Sequence, residues 1–216
     1  MARLNRGPNG PPSGKFGSVI GSSWRGIYYI KGLQKISKKE RSPLQIAQQN
    51  KFATVVKFLA PIKSLLDMGF SRINPGGATG YNMAISYTIQ NCVKGTDPDY
   101  ELDYSSIVLC TKGKLTAPEI NSMELNEMTL SVRWKTESNK YSSASDKPFL
   151  LIYFPKSGEI ASPSKNFSRG DGELTYEFSD WHIGTVAHLY LYFVSFEFAK
   201  NHWSDSVYAG AVEIKG

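Results

Sequence analysis

From Ala117 onward the chain carries five strand-forming runs at short spacing, and this pattern constrains the fold more than any other. The runs are MTLSVRWK (128–135), PFLLIYF (148–154), GELTYEF (172–178), AHLYLYFVSFEF (187–198) and SDSVYAGAVEI (204–214). β-Branched and aromatic residues dominate them, and turn sequences such as PKSGE and SRGDGE separate some of them. An antiparallel β-sandwich is therefore expected over 116–216, with Trp134 filling its core.

Residues 42–115 read differently. Ser42 fits a helix N-cap and Pro43 the first helical turn. Phe52, Val55, Val56, Leu59, Ile62, Leu65 and Leu66 recur at a spacing of three and four, and Gly69 is a natural stop. Pro61 lies inside this run and should kink or split the helix near Leu59. After the turn cluster NPGGATG (74–80), residues 81–93 predict a second helix, giving a helical hairpin. YELDYSSIVL (100–109) alternates as a strand, with Tyr100, Leu102 and Tyr104 on one side and Glu101, Asp103 and Ser105 on the other.

The first forty residues form a third kind of segment. Residues 1–13 hold Pro8, Pro11 and Pro12 and predict an extended lead. KFGSVIG and WRGIYYIKG then read as two extended pieces of a hairpin, with Ser22 and Ser23 in a glycine-rich turn. Residues 1–44 contain nine Lys and Arg against one acid, Glu40. That is a net +8, so that with +6 in total the rest sums to −2. A basic arm on a nearly neutral body points to an anionic partner, an acidic neighbouring subunit or a solvated face. The expected organisation is thus α+β in three parts. An extended arm or hairpin (1–41) is followed by a helical hairpin with a strand (42–115) and then by an antiparallel β-sandwich (116–216).

Composition and spacing narrow the chemistry. No apolar stretch is long enough to cross a bilayer, so no membrane insertion is expected. The N-terminus has no apolar segment of the secretory kind, which favours a cytoplasmic or virion-associated protein. Two cysteines, Cys92 and Cys110, are expected to stay reduced. His182, His188 and His202 lack metal-ligand spacing, no nucleophile motif occurs, and no phosphate loop has its lysine in place. No cofactor and no catalytic residue are expected.

Two features remain. In DPDYELD, strand alternation puts Asp99, Glu101 and Asp103 on one face, the counter-surface for the basic arm. In the arm, Trp24, Tyr28 and Tyr29 lie among Arg25, Lys31, Lys35, Lys38, Lys39 and Arg41, with Phe16 upstream. Aromatic and basic groups mixed in this way grip single-stranded nucleic acid, and they equally anchor protein interfaces.

Four stretches carry a family resemblance: SGKFGSVIGSSWRGIYYIK, SPLQIAQQNKFATVVKFLAPIKSLLDMGF, DYELDYSSIVLCTKGKL and SDSVYAG. The chain resembles an uncharacterised Bacteroidota family of similar length. The resemblance implies the two-part architecture, a helical half followed by a sandwich half, and a bacterial or phage source, and it supplies no catalytic residue. In that family serine commonly stands where this chain has Cys110, which speaks against a bridge or a catalytic thiol there. Separately, HLYLYFVSFEFAKNHWSDSVYAG is similar to the last two strands of a fibronectin type III domain. The expected role is a non-enzymatic assembly protein, a phage virion component or surface filament subunit. It would form homo-oligomers through its arm, by strand addition to a sheet edge. The alternatives are a nucleic-acid-binding protein using the same arm, and a carbohydrate-binding module with Trp181, Trp203 or Tyr208 as stacking platforms.

Overall fold

A computed structural model describes residues 10–35, 40–73, 77–137, 139–163, 167–196 and 202–215, together with the backbone of Ala2 and Arg3. The chain is mixed α+β, with one long helix and several antiparallel sheets. It divides into two compact units, Met1–Ser42 and Pro43–Gly216.

The first unit is a four-stranded antiparallel sheet in the order β1-β4-β3-β2. Its strands are β1 (Ala2–Arg3), β2 (Gly14–Phe16), β3 (Val19–Trp24) and β4 (Ile27–Gly32). Arg25 and Gly26 join β3 to β4 with φ of +48° and +79°. Positive φ at both central residues is what the twist of a two-residue hairpin demands. Gly17, at φ +54°, turns β2 into β3. The expected turn at Ser22 and Ser23 is therefore corrected: both lie inside β3, opposite Tyr29 and Tyr28. Positive φ is supplied on either side of them, so the serines are free to extend.

The second unit begins with α1 (Pro43–Leu59). Proline fits that first position because its missing N–H would have had no partner in the helix. Pro61 splits the helical run as expected, with a 3-10 turn at Ala60–Ile62 before α2 (Lys63–Gly69). Thr79 caps α3 (Gly80–Asn91), its hydroxyl accepting the Asn82 N–H at 3.1 Å. Gly80 brings α3 against α2: a Cβ there would lie 2.5 Å from the Asp67 carbonyl oxygen and 2.6 Å from that of Leu66. Val55, Phe58, Leu59, Ile62 and Leu66 are buried. Phe52, expected on the same stripe, is 47% exposed, because the inward face is centred on Val55, Phe58 and Leu59.

Next come β5 (Val93–Thr96) and β6 (Asp99–Leu102), an antiparallel hairpin. The strand expected over 100–109 stops at Leu102. The Asp103 carboxylate accepts from the Ser105 N–H and from the Ser105 and Ser106 hydroxyls. These local bonds replace a ladder with a 3-10 turn at Tyr104–Ser106.

Eight strands follow: β7 (Ile120–Asn126), β8 (Thr129–Trp134), β9 (Lys147–Phe154), β10 (Glu159–Ala161), β11 (Glu173–Glu177), β12 (Val186–Ser195), β13 (His202–Trp203) and β14 (Val207–Glu213). They form a five-stranded sheet, β10-β9-β12-β13 with β14 also on β12, and a three-stranded sheet, β11-β8-β7. One core lies between the two sheets, with Leu130, Val132 and Trp134 of β8 meeting Leu150, Ile152, Leu191 and Phe193. The Trp134 indole N–H donates to the Arg169 carbonyl at 3.0 Å. The opposite face of β9 and β12 carries Leu151, Tyr153, Tyr190 and Tyr192 into a second core with Phe58, Leu59 and Leu66. The central strands are thus covered on one face by the smaller sheet and on the other by helices. Strands buried on both faces read as continuous apolar runs, which LLIYF and LYLYFV are.

Candidate functional site

In the first unit, strand alternation separates two unlike faces. Phe16, Val19, Tyr28 and Ile30 share one with Gly21. A Cβ on Gly21 would lie 2.6 Å from the Pro12 carbonyl oxygen and 2.9 Å from the Phe16 ring, so only glycine fits beneath them. Lys15, Ile20, Trp24, Ile27, Tyr29 and Lys31 share the other. Gly21 is the one buried residue described in this unit. Phe16, Trp24 and Tyr28 are 46%, 52% and 38% exposed. The nominated arm residues therefore do not act as one surface. Trp24, Tyr29 and Lys31 gather on the basic face, Phe16 and Tyr28 on the uncharged one. Arg25 occupies the hairpin turn, Lys35 follows β4, and Arg41 precedes α1. Lys38 and Lys39 lie outside the described residues.

The acidic run is divided too. Asp99 and Glu101 are exposed on β6. Asp103 lies beyond the strand, where its carboxylate meets the Lys94 ammonium at 2.7 Å. That contact, with the Ser105 hydroxyl, holds the Asp103 carboxyl far below the ordinary carboxylate range.

Glu101 also borders a cleft of about 330 Å³ that sequence reading missed. Lys57 and Phe58 of α1 form one wall, Tyr100 of β6 and the following Tyr104 another, and Tyr153 of β9 the floor. The rings hold one another. Phe58 meets Tyr153 edge-on at 4.5 Å and Tyr104 at 5.9 Å, and Tyr104 stacks on His188 at 4.2 Å. His188 in turn shares a 2.8 Å hydrogen bond with the Tyr208 hydroxyl, and burial pushes its pKa down.

The family model for a family of unknown function, DUF6266, matches residues 11–210. The chain belongs to the DUF6266 family. No curated protein matches it. The match spans both units, so the four-stranded sheet from β2 onward lies within the span that the DUF6266 model describes.

The remaining candidates of this DUF6266 chain separate. Trp181 is 74% exposed, whereas Trp203 is 6% exposed with the Arg72 guanidinium 4.4 Å above its ring. Trp203 is thereby corrected as a stacking platform: its faces are already occupied. Tyr208 is half-buried against His188 and Tyr190. Cys92 and Cys110 are both buried free thiols, and burial pushes them up to about 11 and about 12. Among the described residues no cluster of His, Cys, Asp or Glu could hold a metal ion, and no helix is long and apolar enough to cross a membrane.

Proposed function

We propose that this chain is a non-enzymatic assembly protein, a phage virion component or surface filament subunit, whose first unit packs against a second copy. One observation carries the reading: among its described residues the Met1–Ser42 unit buries only Gly21 and leaves Phe16, Trp24, Ile27 and Tyr28 exposed. A small sheet needs cover on at least one face to be stable in water, and uncovered aromatics mark where cover arrives. The uncharged face, with Phe16, Val19, Tyr28 and Ile30, suits a second copy because two such faces meet without like-charge repulsion. A two-fold axis then lets each residue serve both partners. Face-to-face packing replaces strand addition as the proposed mode, since among the described residues the edge strands β1 and β2 span only two and three residues. In the same reading the two sheets of the second unit are a fibronectin III/Ig-like sandwich.

Light scattering on the full chain and on Phe16→Ser/Tyr28→Ser tests this. An oligomer that dissociates on substitution supports it, and a monomer in both cases rejects it.

A second reading rests on the basic face. Lys15, Trp24, Tyr29 and Lys31 share it, and stacking rings beside cations suit single-stranded nucleic acid. This reading expects affinity for an oligonucleotide to fall steeply with salt. It is rejected if binding is absent or unaffected by Lys31→Ala with Lys15→Ala.

A further inference from the structure

We infer that the cleft between α1, β6 and the end of β9 is a binding site for a neutral saccharide. Its lining sets the class of ligand. Lys57 and Glu101 border the cleft with their side chains exposed, and neither has an ion-pair partner among the described residues. They bring one unspent donor group and one unspent acceptor group to a single aromatic hollow. A charged ligand of either sign would meet one like charge there. A neutral polyol satisfies both, its hydroxyls accepting from the ammonium and donating to the carboxylate.

The rings supply the rest. Tyr100 and Tyr104 are half-buried at the opening, while Phe58 and Tyr153 are buried behind them. A sugar ring has an apolar C–H face and a polar rim, and tyrosine offers the matching pair, a flat apolar body with a polar tip. Tyr104 is held between Phe58 and Tyr153 on one side and His188 on the other, so it is a fixed wall, and Tyr100, which has no ring contact among the described residues, is the ring offered to the sugar. The cleft volume of about 330 Å³ is at the small end of ligand sites. That size favours a terminal sugar unit with the remainder of the chain leaving towards solvent.

This site is distinct from Trp181, which belongs to a different part of the second unit. It is also independent of the assembly reading, which concerns the first unit. The test is an array of neutral oligosaccharides probed with the full-length protein, followed by titration calorimetry of the tightest hit. Binding of at least one neutral oligosaccharide is expected. Tyr100→Ala, Lys57→Met and Glu101→Gln should each weaken it about tenfold or more, and Trp181→Ala should leave it unchanged. Because Lys57 and Glu101 are exposed, their variants keep the fold. Silence across the array overturns the assignment. So does binding that survives the cleft variants, binding that is lost with Trp181→Ala, or a preference for free amino acids or nucleotides over every sugar.

Discussion

Leu150 and Leu151 are neighbours in the chain and are buried in different cores, at 0% and 3% exposure. Leu150 faces the three-stranded sheet and Leu151 faces the helices. Strand geometry turns adjacent side chains to opposite faces, so one strand serves two cores only if both faces are covered. Leu150→Ala and Leu151→Ala should each cost about 2–5 kcal/mol in urea unfolding. Because their cavities open into separate cores, the double variant should cost the sum within about 0.5 kcal/mol. A near-neutral Leu151→Ala would mean that the helical layer does not cover this sheet.

The second unit also contains a fully enclosed ion pair. Arg169 Nε lies 3.1 Å from Asp146 Oδ2, with side-chain exposures of 1% and 0%. The guanidinium also donates to the Glu137 and Thr116 carbonyls and sits 3.8 Å over the Phe193 ring. Asp146→Ala leaves that cation buried without its counter-charge and should cost about 3–5 kcal/mol. Replacing both partners with apolar residues should cost less than the sum of the single changes. An additive double variant would show that the pair carries no coupling.

Gly80 reverses an ordinary rule. Glycine to alanine within a helix usually stabilises by about 0.5–1 kcal/mol. Here the new methyl would meet the Asp67 and Leu66 carbonyls at 2.5 and 2.6 Å. Gly80→Ala should instead destabilise by about 1–3 kcal/mol, measured by thermal or urea unfolding. A more stable variant would show that α2 and α3 are not in this contact.

The two thiols predict sensitivity to alkali. Burial raises Cys92 to about 11 and Cys110 to about 12, from the ordinary 9.0. Above pH 9 the unfolded chain sheds thiol protons that the folded chain keeps. The unfolding free energy should therefore fall as pH rises, from 9 to about 11 for Cys92 and to about 12 for Cys110. Each thiol contributes a slope approaching about 1.4 kcal/mol per pH unit. Below pH 9 both contributions are fully present. Cys110→Ala should flatten the curve, and an unchanged slope would show that this thiol does not titrate in the unfolding reaction.

Local chemistry made much of the fold legible. Pro43 opened a helix, Pro61 split it, and runs of β-branched and aromatic residues located most of the long strands. Short-range competition hid other parts. Asp103 ended a strand through bonds to Ser105 and Ser106 that alternation alone does not reveal. Arg25 and Gly26 make the turn that the sequence reading placed at Ser22 and Ser23. β7 was overlooked because its seven residues hold one β-branched residue and no aromatic, and β10 because it spans only three residues. The aromatic cleft was not legible at all: Phe58, Tyr104 and Tyr153 come from a helix, a turn and a distant strand, and only tertiary packing brings them together. Glu101 was singled out for its charge, while its place beside those rings depends on the same packing.

Sedimentation velocity of the full-length chain over a dilution series, alongside Phe16→Ser/Tyr28→Ser, tests the assembly account most directly. The account predicts a species of at least twice the 24.0 kDa chain mass that returns to monomer when the uncharged face is substituted. A full-length chain that sediments as a monomer at every concentration, with the variant indistinguishable from it, would contradict the account.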